Sequence, residues 1–238
     1  MTIHLILFAG AFLAAAISGA AGFGGALLLL PLLTRAVGPE AAVPLLTLGQ
    51  LVGNLARVAF NWREVRWPPV SLFLLGAIPG AVAGALFFVE LPRELITRLI
   101  GAGILLFVVL RLAGRGQGSI APAWLVAGGS LTGFLSGLIG SAGPIGASLF
   151  LSLNLPPVAY IASEAMTALV MHGVKFAVYG ARLALGAEFW PLAGLISAAM
   201  IGGTWASRWI VGRLPAACFR QFVAVLLIVV AMQMLIFG

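Results

Sequence analysis

Ionisable and amide side chains are scarce in this sequence, so the few that fall together on apolar segments mark where chemistry could occur. Thr47, Gln50, Asn54 and Arg57 follow one another at spacings of 3, 4 and 3, which places them along one helical face. A hydroxyl, two amides and a guanidinium so aligned offer hydrogen-bond donors and a positive charge to an anion. Glu164, Thr167, His172 and Lys175 make a second group, because the 11 positions between its ends are close to three turns; Ser163 lies beside it.

Ionisable groups are expensive in hydrocarbon and face a cavity or a partner there. Arg57 and Lys175 lie late in their segments and could instead snorkel to an interface. Asn54 and His172 sit one turn deeper. Five glutamates, Glu40, Glu64, Glu90, Glu94 and Glu188, fall near segment ends, whereas Glu164 lies about two turns inside one. It reads either as a proton-coupling or gating acid or as the structural partner of a base on another helix.

Other chemistries find little support. Two histidines, His4 and His172, do not make a metal site, and no His/Cys cluster occurs. The single Cys218 has no internal disulfide partner. There is no aspartate, no paired acids and no phosphate-binding G-x-x-x-x-G-K-[ST], which argues against an enzyme or an ATP-driven motor and implies no cofactor.

Glycine supplies a second kind of site. The run Gly22-Phe23-Gly24-Gly25 precedes Ala26-Leu-Leu-Leu-Leu30 and so opens a helix; Ser141-Ala142-Gly143 opens another. Helix N-termini carry unpaired N–H groups and a partial positive charge, and glycine lets a ligand approach the backbone. Two such ends meeting near the bilayer midplane would coordinate a small anion, with Ser141 adding a hydroxyl. Kinking and close backbone packing are the plainer use of the same glycines.

The elements that must position these groups follow from composition. Of 238 residues, 62% are hydrophobic and 8% charged, against about 25% charged in an average soluble domain. With a mean hydropathy of +1.17, the chain is an integral membrane protein. The net charge of +7 comes from bases set singly or in small groups between apolar runs, which reads as anchoring on the cytoplasmic side. Trp62, Trp67, Trp124, Trp190 and Trp209 lie near segment ends and read as an interfacial belt.

Apolar stretches cover 3–34, 41–60, 68–89, 95–112, 120–153, 158–180, 189–211 and 216–237. Six suit a span of about 20 residues. The stretches 3–34 and 120–153 are too long and carry glycine-rich breaks at 19–25 and 137–144, so each is expected to be two half-helices. The first lacks the basic n-region of a signal peptide and is expected to remain in the mature fold.

The order of one broken stretch and three ordinary ones occurs twice. A shift of 118 places Gly140 on Gly22, Gly143 on Gly25, His172 on Asn54 and Lys175 on Arg57; a shift of 123 places Ala199, Gly203 and Ser207 on Gly76, Gly80 and Gly84. These predict an all-α membrane protein of two repeats, 1–114 and 119–238, joined by a linker at 115–118. Each repeat would be a broken, re-entrant-like hairpin plus three transmembrane helices, with the repeats inverted. Paired broken helices in matching positions point to a transporter binding site. If each broken stretch returns to its starting side, eight bases gather on one side and five on the other, which puts both termini outside. The small-residue ladder Gly76, Gly80, Gly84 suits either a homodimer contact or packing within the chain.

The segment Gly22-Phe-Gly-Gly-Ala-Leu-Leu-Leu-Leu-Pro31, its degenerate copy Gly140-Ser-Ala-Gly-Pro-Ile-Gly146 and the size with two four-segment halves resemble the TauE/SafE sulfite-exporter family. The resemblance spans nearly the whole chain on loose glycine patterns. It implies a secondary transporter, an exporter, of small sulfur-containing anions such as sulfite, sulfoacetate or other organosulfonates, in the cytoplasmic membrane. The second copy departs from the first where Ser141 and Pro144 replace Phe23 and Ala26, so the half-sites need not contribute equally. The expected substrate contacts are Gly22, Phe23, Gly24, Gly25, Gln50, Asn54, Arg57, Ser141, Ala142, Gly143, His172 and Lys175, with Glu164 for proton coupling. The expected partners are the anion, the lipid bilayer and a second copy of the chain, and not nucleic acid. A membrane protein that delivers or assembles a metal or thiol compound is the alternative, though no face carries a Cys, Met or His cluster.

Overall fold

A computed structural model describes residues 2–86, 105, 121–139, 142–180, 186–187, 189–211 and single residues between 215 and 236. The expected span 95–112 (bar residue 105), most of 216–237, the linker 115–118, and Gly140 and Ser141 lie outside the described residues. So do most of the bases on which the charge count rests.

The described chain is helical, with no strand among the described residues. In order the helices are α1 (Thr2–Ala21), α2 (Gly25–Asn61), α3 (Trp67–Leu86), α4 (Pro122–Ile139), α5 (Gly143–Ser152), α6 (Pro157–Gly180) and α7 (Phe189–Val211). Among the described residues, five stretches are long and apolar enough to cross a bilayer: Ile3–Ala21, Ala41–Glu64, Trp67–Leu86, Pro157–Val178 and Phe189–Trp209. The chain is a multi-pass membrane protein.

Both expected breaks occur, and local chemistry accounts for them. Gly22 and Gly24 hold φ of 91° and 98°, a left-handed backbone that glycine takes without a Cβ clash, so α1 ends there. Gly38, at φ 78° and ψ 162°, interrupts α2 just before Pro39, which disfavours helical geometry in the residue preceding it. In the second break α5 opens with Pro144 in its first turn, where a missing N–H costs nothing. At 10 residues α5 is about 15 Å long, too short to cross the hydrocarbon.

Small residues set the tightest contacts. A Cβ on Gly76, Gly80 or Gly84 of α3 would stand 2.1, 2.4 or 1.9 Å from the carbonyl oxygens of Val126, Ser130 and Phe134 of α4. Gly129 and Gly133 return the contact, 2.1 and 2.2 Å from the oxygens of Phe73 and Ala77. The ladder therefore packs α3 on α4 within the chain, and a dimer would need another surface. On α7, a Cβ at Gly203 would lie 2.2 Å from the Phe12 oxygen of α1, and one at Gly19 of α1 would lie 2.2 Å from Ser207 Oγ. These pairings run α3 parallel to α4 and α1 parallel to α7. Helices α2 and α6 run antiparallel, with Leu51 near Gly173 and Arg57 beside Glu164.

The five belt tryptophans are all exposed. The inside divides into a cluster about Phe73, Phe150 and Tyr160 and another about Leu29, Leu45 and Ile196.

Gly84→Leu should force α3 off the α4 backbone and destabilise the fold by about 1–3 kcal/mol or more, read as a lower Tm in detergent. Gly194→Ala, whose added methyl meets nothing within 4 Å, should leave the Tm unchanged or slightly raised. An unchanged Tm for Gly84→Leu would contradict the contact.

Candidate functional site

Each break brings a helix C-terminus and a helix N-terminus into the interior of the protein. The ends of α1 and α4 present carbonyls that their own helices leave unpaired, and the starts of α2 and α5 present amides. The breaks adjoin: a Cβ on Gly143 would be 3.7 Å from Phe23 Cβ. Neither N-terminal cap, Gly24 nor Ala142, supplies a side-chain hydrogen bond to its helix.

Arg57 covers the first pair of carbonyls. Its Nη1 donates to Gly22 O at 2.6 Å and Ser18 O at 3.1 Å, and reaches Glu164 Oε2 at 3.3 Å. Its Nη2 donates to Asn54 Oδ1, and Asn54 Nδ2 donates to Gln50 O at 2.7 Å. Arg57 and Glu164 side chains are each 5% exposed, so Arg57 does not snorkel. Glu164 thus meets a base on another helix.

Lys175 repeats the arrangement at the second break. Its Nζ donates to Ser136 Oγ at 2.9 Å and Ser136 O at 3.4 Å, near the end of α4. It is fully buried and does not snorkel either. The shift of 118 that places Lys175 on Arg57 also places Ser136 on Ser18. A cation sits on the carbonyl end of each broken helix, the favourable arrangement for the helix dipole.

The amide ends face a narrow cavity of about 30 Å³, room for about two waters. Of the expected contacts, Gly22, Phe23, Gly24, Gln50, Asn54, Arg57, Ala142, Gly143 and His172 line it, and so does Glu164. Gly25 stands behind the lining, packed against Ala14 O and Ser18 Cβ. Lys175 is set back behind Ser136, and Ser141 lies outside the described residues. Two buried atoms that reach no partner belong to this lining: Gln50 Nε2 and His172 Nδ1.

Ser18, Thr132, Ser136 and Thr167 also line the cavity. Thr167 lay on the polar stripe, and the repeat shift pairs Ser18 with Ser136. Thr132 carries no comparable signal. Tyr160 packs its ring against Gly22, where a Cβ would stand 2.8 Å from Cε1.

A larger vestibule of about 510 Å³ lies on the other side of Arg57, among α1, α2, α6 and α7. Arg208, Asn61, Trp205 and Trp209 line it, with no acid among its lining residues. The Arg208 guanidinium lies 4.8 Å from the Phe60 ring centroid.

The arrangement can hold an anion among neutral donors backed by fixed cations. Compared with known proteins, the chain matches one family model over residues 7–234, that of "Sulfite exporter TauE/SafE". No curated protein and no solved structure matches it.

Glu164→Leu strands a buried guanidinium and should cost about 3–5 kcal/mol of stability, read as a fall in Tm. Adding Arg57→Met to Glu164→Leu should cost less than Arg57→Met alone, because the pair is already broken. Strictly additive losses would show that the two groups are not coupled.

Proposed function

The chain belongs to the TauE/SafE sulfite-exporter family, and on that premise we propose that it exports sulfite or small organosulfonates such as sulfoacetate across the cytoplasmic membrane. The anion binds in the narrow cavity between the α2 and α5 N-termini. The observation that carries this reading is the pair of unpartnered buried atoms, Gln50 Nε2 and His172 Nδ1, in a cavity at two uncapped helix starts. A buried polar group left unpaired costs about 1–3 kcal/mol, so a site that keeps two of them is arranged for a ligand. The sign of that ligand follows from the helix ends. Arg57 and Lys175 already cover the carbonyls, which leaves amides open, and open amides select negative charge.

The residues divide the work. Backbone N–H groups at Gly24, Ala142 and Gly143 replace the water shell of the anion, and Gln50 and His172 add direct donors. Asn54 orients Arg57, while Arg57 and Lys175 supply positive potential from the helix ends. The two repeats, 1–114 and 119–238, are inverted, and rocking of one against the other exposes the cavity to each side in turn. Recurrent contacts support that reading: Gly80 on Ser130 and Gly203 on Phe12, Arg57 on Ser18 and Lys175 on Ser136. Glu164 links transport to protons. When an incoming anion draws Arg57 away, the carboxylate is left buried without a counter-charge, and a proton restores neutrality.

Equilibrium binding of radiolabelled sulfoacetate to the purified protein tests the site. Gln50→Ala and His172→Ala should each weaken it by about 1.5–3 kcal/mol, the range for hydrogen bonds to charged groups, or roughly ten- to hundredfold. Wild-type affinity in both variants, each shown to be folded, would move the site elsewhere. In proteoliposomes, Glu164→Gln should retain anion binding but lose the response of flux to a pH gradient; an intact response would assign coupling to another group.

A further inference from the structure

The vestibule and the narrow cavity meet at one side chain. Arg57 lines both, and no other described residue does. Its side chain therefore borders both a space of about 510 Å³ and one of about 30 Å³. Three of its four acceptors belong to the same repeat as itself: Ser18 O and Gly22 O, which are backbone, and Asn54 Oδ1, one turn back on its own helix. The fourth, Glu164, stands on α6, a helix of the second repeat, and is the only one that carries charge. The guanidinium charge assists all four bonds; the Glu164 contact, at 3.3 Å the longest of the three made by Nη1, is the one in which both groups are charged and the one that crosses between the repeats.

We propose that Arg57 is a gate between vestibule and cavity, latched by Glu164 and released when an anion from the vestibule takes the place of the carboxylate. The competitor suits the latch, because a sulfonate or sulfite presents the same acceptor oxygens to the guanidinium fork as a carboxylate does. The approach is prepared: Arg208 and Arg57 both line the vestibule, with no acid between them, so an entering anion meets one cation and then the next. Once Arg57 turns from Glu164 toward the anion, the wall opens on the cavity where Gln50 and His172 wait unpaired. The latch also joins the repeats across the α2–α6 contact, so releasing it frees the surface along which they would move.

This gate rests on the cavity being the anion site, but access to the cavity can be read without any anion. In a Cys218→Ser background, Thr132→Cys places a thiol in the cavity, where Thr132 gives up only a bond to Gly128 O on its own helix. Val158→Cys places one in the vestibule. The rate of modification by N-ethylmaleimide, a neutral reagent, is followed by mass spectrometry of the full chain in liposomes. The vestibule thiol should react much faster than the cavity thiol. Glu164→Gln keeps the volume of the wall and removes only the latch charge, so it should speed the cavity thiol about tenfold and leave the vestibule thiol unchanged. Arg57→Lys, which loses the planar fork, should do the same and serves if Glu164→Gln does not fold. A cavity thiol that reacts at its original rate in both variants would overturn the gate while leaving the anion-binding tests untouched. A fast cavity thiol in the unmodified gate would overturn it as well.

Discussion

A helix that stops inside a membrane leaves polar backbone groups where no water can reach them, and this protein has two such stops. Each break creates carbonyls facing one way and amides facing the other. Cations from α2 and α6 settle on the carbonyls, Arg57 at Ser18 and Gly22 and Lys175 at Ser136. Neither Gly24 nor Ala142 sets a side-chain cap on the amides. The anion site we propose is the remainder of that unequal settlement.

Holding the breaks together requires backbones to approach more closely than ordinary side chains allow. The α3–α4 and α1–α7 contacts provide this, because glycine faces carbonyl oxygen directly in both. Helix α1 thus leans on α7 from the other half of the chain, and α4 likewise leans on α3. The α2–α6 contact closes the arrangement and carries the Arg57–Glu164 pair. Packing and charge meet at the same place, so a change in one is felt by the other.

Much of this was legible in the residues. Glycine and proline announced both breaks, because only a few backbone geometries end a helix within an apolar run. The spacing of Gln50, Asn54 and Arg57 announced the polar face, and the depth of Glu164 set it apart. What spacing could not supply was contact across the chain. Arg57 and Glu164 are 107 positions apart, and nothing local in either segment names the other. The same holds for the glycine ladder, whose two possible partners, a second copy or α4, present the same small-residue pattern. The vestibule was invisible for a related reason: Arg57, Arg208 and Trp205 come from helices that meet only once the chain has folded.

The central claim is that the amide ends of the two broken helices hold the anion, and the most direct measurement locates it. Selenite, the heavier analogue of sulfite, can be placed by anomalous scattering in crystals of the protein. The account predicts a selenium peak between Gly24 and Gly143, within hydrogen-bonding reach of Gln50 and His172. A peak confined to the vestibule beside Arg208, with the cavity empty, would contradict it.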